Sequence, residues 1–263
     1  MRFVGKTVVV TGGAAGIGLA SARKFHAEGA NIVIGDLQEE LGPEIAAEFS
    51  QARLLYCKVD VSDWDQVQSL IDAAVTRFGG VDVLFNNAGI GRLATTPELS
   101  VNDWQRVLDI TLSGTFYGCK AAIPVMRQRG GGAIVNMASA SGLAADFGFA
   151  AYNAAKGGVV NYTKAVAIDH ARDGIRANAV CPGPIETAPK ANIDRIPGAR
   201  DRWEESVPMG RFGTAEEVAS VVAFLASDEA SYVTGAVLAI DGGLLAHTGQ
   251  PNFQRMGVRK AEH

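Results

Sequence analysis

Short apolar runs alternate along the chain with longer stretches in which apolar residues recur every three or four positions. The short runs are rich in Val and Ile and end at turn-forming or polar residues, a pattern typical of buried parallel strands. The longer stretches predict amphipathic helices. The predicted strands cover residues 6–11, 31–36, 54–59, 81–85, 133–137, 176–181 and 237–241, and the main predicted helices cover 19–27, 38–49, 62–78, 101–126, the stretch around Tyr152, and 215–225.

This alternation continues over the whole length and predicts the fold class. It favours an α/β fold, a doubly wound parallel sheet of about seven strands with helices on both faces, built as a single domain over residues 1–263. Ligands bind such sheets outside the carboxyl ends of the strands. Candidate chemistry should therefore lie where the predicted strands end.

A glycine-rich turn follows the first predicted strand and leads directly into a helix. Glycines at 12, 16 and 18 would let the backbone approach a pyrophosphate, while the helix N-terminus supplies partial positive charge. A tight turn without a ligand is the alternative. The strand, turn and helix context favours a Rossmann-type dinucleotide site.

The second predicted strand ends in Asp36, eighteen residues after Gly18 (36 − 18 = 18). A carboxylate at this distance accepts a hydrogen bond from the ribose 2′-hydroxyl of a dinucleotide and repels a 2′-phosphate. Leu37 follows, so no basic residue stands beside Asp36 to receive that phosphate. The sequence therefore predicts NAD rather than NADP as the cofactor.

Three further strand ends carry polar or conformationally special residues. Asp60 suits either an acceptor for the adenine amino group or a helix cap, and Ser62 with Asp65 forms an N-cap signature. The amides of the segment 86–89 either tie strands together, which is somewhat favoured, or line the cofactor floor. The prolines of the segment 182–187 fix a loop whose backbone would meet the nicotinamide end.

Tyr152 and Lys156 lie four residues apart on a predicted helix, so their side chains share one face. An ammonium within roughly 4–6 Å of a phenol stabilises the phenolate and predicts a lowered Tyr152 pKa. Tyr152 is thus a candidate general acid and base. Ser139 precedes it by thirteen residues (152 − 139 = 13), at the end of the fifth predicted strand.

Composition narrows the classes of partner. A formal net charge of −4 without a basic stripe argues against nucleic acid, and no apolar run approaches the length of a membrane helix. The cysteines are predicted to be buried free thiols in a reducing, cytoplasmic compartment. These cysteines are Cys57, Cys119 and Cys181. The histidines lack the spacing of metal ligands; they are His26, His170, His247 and His263. No metal site is predicted.

Taken in order, these motifs resemble those of the short-chain dehydrogenase/reductase family over nearly all of residues 6–243. The match consists of Thr-Gly-x-x-x-Gly-x-Gly at 11–18, Asn-Asn-Ala-Gly at 86–89, Ser139 with Tyr152-x-x-x-Lys156, and Pro-Gly at 182–183 with Thr187. The resemblance implies an NAD-dependent oxidoreductase that interconverts a secondary alcohol and its ketone. It also implies a homotetramer, with the last helices and strand at an interface.

The resemblance further assigns roles to residues. Tyr152 would transfer a proton to or from the substrate oxygen, Ser139 would hydrogen-bond that oxygen, and Lys156 would lower the Tyr152 pKa and bind the nicotinamide ribose. Asp60 and Val61 would frame the adenine. The implied cofactor-binding set is Gly12, Ala15, Gly16, Ile17, Gly18, Asp36, Leu37, Asp60, Val61, Asn87, Ala88, Gly89, Tyr152, Lys156, Pro182, Gly183, Ile185 and Thr187.

Thr111 departs from the family pattern. The family usually has Asn at this position, which is implied in holding a water next to the catalytic Lys. The resemblance implies that the main-chain carbonyl of this helix position largely holds the water, and the Thr111 hydroxyl could bond the same water or the carbonyl four residues earlier. Thr111 is therefore expected to be a tolerated replacement that leaves the proton relay usable, and a catalytically silent NAD-binding scaffold is the alternative.

The residues expected to line the substrate pocket are mostly small or apolar, and no Arg or Lys clamp stands out among them. Its candidate residues are 91–94, Ala140, Ser141, 145–149 with Phe147 and Phe149, and a lid over 188–212. The expected substrate is therefore a modest, largely uncharged alcohol or ketone. Epimerase or dehydratase chemistry is the other alternative, disfavoured because only twenty residues follow Gly243 (263 − 243 = 20), a tail expected at an oligomer interface.

Overall fold

The computed structural model describes residues 1–187 and 196–250. Within them, the strands are β1 (Thr7–Thr11), β2 (Asn31–Asp36), β3 (Leu54–Lys58), β4 (Val83–Asn86), β5 (Gly132–Met137), β6 (Ile175–Pro182), β7 (Ile185–Glu186), β8 (Gly213–Thr214) and β9 (Val237–Ile240). The α-helices are α1 (Gly16–Ala27), α2 (Gly42–Glu48), α3 (Trp64–Phe78), α4 (Val101–Leu108), α5 (Gly114–Gln128), α6 (Ala150–His170), α7 (Ala199–Ser206) and α8 (Ala215–Ala226).

Seven of the strands form one parallel sheet in the order β3-β2-β1-β4-β5-β6-β9, and β7 pairs with β8 in a small separate ladder. The sheet order reverses between β1 and β4, which creates a crevice at the carboxyl ends of these two strands. The predicted fold class, a Rossmann-type doubly wound sheet in a single domain, is confirmed.

Alternate residues of the buried strands serve two separate cores. Val8 and Val10 of β1 pack on the face that carries α1 and α8, whereas Val9 packs on the face that carries α3 and α5. Because both faces are covered, the strands are apolar throughout rather than alternating with polar residues. This explains why their periodicity reads as short continuous apolar runs.

Two helix predictions are wrong in detail. Helix α3 is capped by Asp63, whose carboxylate accepts hydrogen bonds from the backbone N–H groups of Asp65 and Gln66, and not by Ser62. The predicted helix over 101–126 is interrupted by a π-helical turn at Asp109–Ser113 between α4 and α5. Such turns insert an extra residue into the hydrogen-bond ladder and are frequent at functional sites.

Some predictions fall partly or wholly outside the described residues. The first part of the predicted lid, 188–195, lies outside them, while its later part contains α7. The predicted C-terminal tail is described only to residue 250, with a short turn at Leu244–Ala246. Among the described helices, none combines the length and apolar character needed to cross a membrane.

The cysteines carry no disulfide in the described residues. Cys119 and Cys181 are fully buried, as expected, but Cys57 is only partly buried. It lies on β3, the edge strand of the sheet, where one side lacks a neighbouring strand. The reducing compartment stays a prediction.

Candidate active site

Three adjoining cavities lie along the carboxyl edge of the sheet and meet at Gly89. The first has a volume of about 660 Å³ and the second about 420 Å³. Of the predicted cofactor residues, the first is lined by Gly12, Asp36, Leu37, Asp60, Val61, Ala88 and Gly89, and the second by Ala15, Gly16, Ile17, Asn87, Gly89, Tyr152, Lys156, Pro182, Gly183, Ile185 and Thr187. The fold thus brings together residues spread over most of the chain.

The glycine turn has the backbone that close approach requires. Gly12 and Gly16 adopt φ values of +61° and +51°, in the left-handed region that favours glycine. A Cβ added to Gly12 would lie 2.9 Å from the Ala88 Cα, and one added to Gly16 would lie 3.3 Å from the Thr187 side chain across the cavity. Side chains here would therefore narrow the groove.

Gly18 does not line the cavities, in contrast to the other predicted glycines. A Cβ at this position would overlap the carbonyl oxygen of Gly12 and crowd the Asn87 amide. Gly18 is therefore a packing residue that lets α1 lie close to the turn after β1. It belongs to the site only indirectly.

Asp36 is buried at the end of β2 with a well-defined carboxylate. Its Oδ2 accepts a hydrogen bond from the Ala14 N–H at 2.9 Å, and its Oδ1 accepts one from the Gln38 N–H at 3.1 Å. Each oxygen keeps a second lone pair for a ligand. The same cavity is lined by Arg106 of α4, a residue that no sequence motif marks.

Asp60 and the two asparagines are engaged in local structure. Asp60 accepts hydrogen bonds from both the N–H and the hydroxyl of Ser62, so the helix-cap alternative is wrong for Asp60, which shapes the turn before α3. Asn87 donates to the carbonyls of Thr11 and Gly12, at 3.1 and 2.8 Å, and Asn86 donates to Asn136 on the neighbouring strand. The amides thus tie β1, β4 and β5 together, while Asn87 also faces the second cavity.

Lys156 is a buried charge on the face of α6 that also carries Tyr152, with 2% of its surface exposed. Its Nζ donates a 2.6 Å hydrogen bond to the Met137 carbonyl at the end of β5 and lies 5.6 Å from the centroid of the Tyr152 ring. Burial lowers the pKa of Lys156 to about 8. The pKa of this ammonium group therefore lies close to neutral pH.

The pKa of Tyr152 is raised, chiefly by burial, while the Ser139 hydroxyl acts in the opposite direction by hydrogen-bonding the phenolate. The predicted lowering of the Tyr152 pKa by Lys156 is wrong for this structure. The reason is that Nζ is directed at the Met137 carbonyl and both groups have lost water. Ser139 and Tyr152 face each other where the second and third cavities join.

The Thr111 hydroxyl bonds the backbone of Ile90 and not the carbonyl four residues earlier, so that one of its two predicted contacts is wrong. Oγ1 accepts a hydrogen bond from the Ile90 N–H at 3.1 Å and contacts the Ile90 carbonyl at 3.2 Å, and the residue is fully buried. The Thr111 carbonyl accepts from the Thr115 hydroxyl at 2.9 Å. Thr111 therefore fixes the loop at Gly89 and Ile90, and it lines none of the three cavities.

The third cavity, of about 350 Å³, extends outward from Ser139 and Tyr152 and is the candidate substrate pocket. Phe147 was expected to line it, but its side chain is fully exposed because it lies at the tip of the loop before α6. The lining is Gly89, Ile90, Gly91, Ser139, Ala140, Ser141, Asp146, Phe149, Tyr152, Pro182, Gly183, Pro184, Ile185, Trp203 and Leu244. Sequence reasoning missed Ile90, Pro184 and Leu244, which no pattern distinguishes from packing residues.

The groove fits a dinucleotide. It has a carboxylate acceptor at one end, a glycine-lined backbone in the middle, and a buried cation beside a phenol and a hydroxyl at the other end. Within residues 1–187 and 196–250, no cluster of three or more His, Cys, Asp or Glu side chains is placed to hold a metal ion.

Comparisons with known proteins agree with this geometry. Residues 12–245 match a sequence family described as Enoyl-(Acyl carrier protein) reductase. The chain is 42% identical to the meso-2,3-butanediol dehydrogenase of Serratia marcescens over 96% of its length and 100% of that protein. It is also 42% identical to 3beta-hydroxysteroid dehydrogenase 1 of Eggerthella lenta, over 95% of this chain and 96% of that one.

Solved structures give the same result for the fold. The crystal structure of levodione reductase superimposes with a TM-score of 0.87 at 39% sequence identity. The match covers 93% of this chain and 99% of that one.

Proposed function

This chain belongs to the short-chain dehydrogenase/reductase family of oxidoreductases, and from that premise we propose that it is an NAD-dependent dehydrogenase that interconverts a secondary alcohol and its ketone. The observation that carries the proposal is the meeting of Ser139, Tyr152 and Lys156 at one end of a groove that Asp36 and the glycine turn line at the other. The names of the relatives support alcohol and ketone chemistry, since butanediol and hydroxysteroids carry secondary alcohols.

Tyr152 is the proposed general acid and base. In ketone reduction its phenol donates a proton to the carbonyl oxygen, and in alcohol oxidation its phenolate takes the hydroxyl proton. Ser139 donates a hydrogen bond to the same oxygen and so stabilises the charge that develops there. A nicotinamide held in this groove would supply the hydride in reduction and accept it in oxidation.

Lys156 has two proposed tasks. Its ammonium is held by the Met137 carbonyl and lies near enough to Tyr152 to attract the negative charge of the phenolate when that forms during turnover. Its other N–H bonds have no acceptor in residues 1–187 and 196–250 and would hold the nicotinamide ribose hydroxyls. Across the groove, Pro182, Gly183, Ile185 and Thr187 would hold the carboxamide end.

Asp36 is the proposed determinant of cofactor choice. Its carboxylate, fixed by two backbone N–H groups, accepts from a ribose 2′-hydroxyl and repels a 2′-phosphate. We propose NAD on this basis. Asp60 and Val61 line the same cavity and would flank the adenine.

We also propose a homotetramer. Strand β9 ends the sheet and carries the exposed Leu238. Phe224 of α8 and Tyr232, which precede it in the chain, are exposed as well. Exposed apolar groups beside an open sheet edge are typical of an interface between subunits. Light scattering after size-exclusion chromatography should give four chain masses, and a monomer mass would contradict the proposal.

A substrate panel tests the enzymatic proposal. Small uncharged ketones are mixed with NADH, and cofactor oxidation is followed at 340 nm, beside a separate measurement of NADH binding by fluorescence. Reduction of at least one ketone is expected. Binding of NADH without reduction of any ketone, and without oxidation of any secondary alcohol by NAD, would favour a silent scaffold.

A further inference from the structure

One acidic side chain lines the candidate substrate pocket. Among the described residues, Asp146 is the only charged one on the wall of the third cavity, which it shares with Ser139, Ser141 and Tyr152. The catalytic chemistry proposed above makes no use of it. Its effect is nevertheless felt at the site, since the Asp146 charge is one of the causes that raise the pKa of Tyr152.

A chain of hydrogen bonds links Asp146 to the reacting end of the pocket. The Ser141 hydroxyl donates a short hydrogen bond to Asp146 Oδ2, and Ser139 Oγ lies 3.0 Å from Ser141 Oγ. Ser141 is buried, whereas Asp146 is exposed at the mouth of the pocket. The carboxylate is therefore two hydrogen bonds from Ser139, a separation that a substrate with a second functional group can bridge.

The position of Asp146 is fixed by its backbone rather than by its carboxylate. Its N–H donates to Asn153 Oδ1 at 3.2 Å, and its carbonyl accepts from Asn153 Nδ2 at 2.9 Å. Asn153 directly follows Tyr152, so the loop is held in register with the catalytic helix. A substitution of the Asp146 side chain leaves both of these contacts in place.

The chemistry of this wall selects hydrogen-bond donors. A carboxylate accepts hydrogen bonds and donates none, and the single proton of Ser141 is already committed to it. Asp146 Oδ1 accepts no hydrogen bond within residues 1–187 and 196–250. The wall thus offers acceptors only, so a substrate group placed there must bring its own proton and must not be negatively charged.

We infer that Asp146, together with Ser141, is a specificity site for a hydroxyl or ammonium group carried by the substrate on a carbon next to the reacting one. This inference rests on the proposed function, because it concerns the substrate of the same site. The preferred substrate class is then a hydroxyketone or its diol, or the amino equivalent. Carboxylate-bearing ketones are rejected by like charge.

Four probes of nearly equal size separate these possibilities: 1-hydroxypentan-2-one, 1-aminopentan-2-one, hexan-3-one and 2-oxopentanoate. Three of them carry a hydroxyl, an ammonium or a methyl group on the carbon next to the same carbonyl, and in 2-oxopentanoate that carbon is itself the carboxylate carbon. The measured quantity is kcat/KM with NADH. A hydroxyl also changes the intrinsic reactivity of the carbonyl, so selectivity is compared between wild type and variant, where this contribution cancels.

Asp146→Ala should reduce the preference for 1-hydroxypentan-2-one over hexan-3-one by roughly tenfold, the effect expected for one hydrogen bond to a charged acceptor. Asp146→Asn should raise the relative activity with 2-oxopentanoate by about tenfold or more, because it removes the repulsion and adds a donor. Asp169→Asn, which removes an exposed carboxylate from the end of α6, is the matched control for net charge and should leave both ratios within about twofold.

The outcomes keep the two proposals apart. Unchanged ratios in Asp146→Ala and Asp146→Asn, with hexan-3-one still reduced, would overturn this inference and leave the proposed dehydrogenase intact. Loss of selectivity in the ammonium arm alone would assign the site to amines, and in the hydroxyl arm alone to hydroxyketones, each within the inferred class. If wild type reduces none of the four probes nor any ketone in the broader panel, the proposed function fails and the inference fails with it.

Discussion

The two edges of the sheet both hold a cavity lined by charges, yet they use those charges differently. At the amino edge, a cavity of about 270 Å³ contains Lys6, Asp82 and Arg129, and Asp82 lies 3.5 Å from Lys6 Nζ and 3.4 Å from the Arg129 guanidinium. At the carboxyl edge, Lys156 is buried with a backbone carbonyl as its hydrogen-bond acceptor. Exposed charges that pair contribute little beyond local order, whereas a fully buried charge without a counter-ion, as at Lys156, is a candidate for binding a ligand or taking part in a reaction.

This comparison is tested most strongly by Tyr152. Tyr152→Phe removes the exchangeable proton and keeps the ring, so turnover should fall by about 10²-fold or more while NADH binding barely changes. Tyr162→Phe, a substitution on the same helix but away from the three cavities, is the matched control and should retain turnover within about threefold. Activity of Tyr152→Phe at a tenth of wild type would remove Tyr152 from the role of acid and base.

Ser139→Ala should lower turnover by a similar or slightly smaller factor. A hydrogen-bond donor to the developing oxyanion is typically worth ~2.7–4 kcal/mol, or about 10²–10³ in kcat. Because Ser139 also accepts from the Ser141 N–H, circular dichroism and thermal unfolding should accompany the kinetics. A well-folded Ser139→Ala enzyme with near wild-type kcat would contradict the assignment.

The choice between NAD and NADP tests the role of Asp36 at the other end of the groove. NAD should be preferred over NADP by at least about tenfold, because a 2′-phosphate loses the hydrogen bond to Asp36 and meets its negative charge. Asp36→Ala should reduce that preference, and Arg106→Ala in the same background tests whether the arginine of this cavity then binds the phosphate. Equal kcat/KM with both cofactors in wild type would contradict the role of Asp36.

The buried Lys156 should also appear in the pH dependence of stability. Its folded-state pKa of about 8 lies below the ordinary value of 10.5, so between these pH values the unfolded chain binds more protons than the folded one. The free energy of unfolding should therefore rise through this window by about 3 kcal/mol from this group.

Denaturant titrations of wild type and Lys156→Met measure that rise as a difference in slope against pH, which excludes the constant cost of losing the hydrogen bond to Met137. Lys164→Met, at an exposed position on the same helix, controls for the other titrating groups. Parallel pH curves for wild type and Lys156→Met would contradict the lowered pKa.

The smallest expected effect concerns Thr111. Its hydroxyl holds the Ile90 backbone, so Thr111→Ala should destabilise the loop by about 1–3 kcal/mol and change turnover by less than about tenfold. Thr111→Asn should likewise alter turnover by less than about tenfold. A hundredfold gain in Thr111→Asn from near-zero activity would mean that the natural chain has lost its relay and acts as a scaffold.

The fold was predictable because each strand of the main sheet has a recognisable local sequence pattern. Buried parallel strands are apolar on both faces, and glycine, asparagine or proline marks where they end, so seven strands could be placed within a few residues of their observed bounds. The π-helical turn at Asp109–Ser113 was not predicted, since no local pattern marks it, and its residue Thr111 bonds Ile90, which is distant in the sequence.

The candidate site was predictable where a residue type implies its chemistry, as for Tyr152, Lys156 and Asp36. The environment of these side chains in the folded protein was not predictable. The pKa directions of Tyr152 and Lys156 follow from burial by neighbouring elements, and Gly18 fits the motif yet faces the Gly12 carbonyl rather than the groove. Arg106 and Leu244 reach the cavities from distant parts of the chain, so no local pattern reveals them.

Transfer of a deuterium label tests the central proposal most directly. A secondary alcohol deuterated at its carbinol carbon is incubated with NAD and the enzyme, and the NADH formed is analysed by mass spectrometry. The account predicts NADH that is heavier by one mass unit, together with the matching ketone, because the hydride passes from that carbon to the cofactor. The proposal would be contradicted if NAD binds but acquires deuterium from none of the alcohols tested. It would also be contradicted if the label stays in an epimerised or dehydrated product.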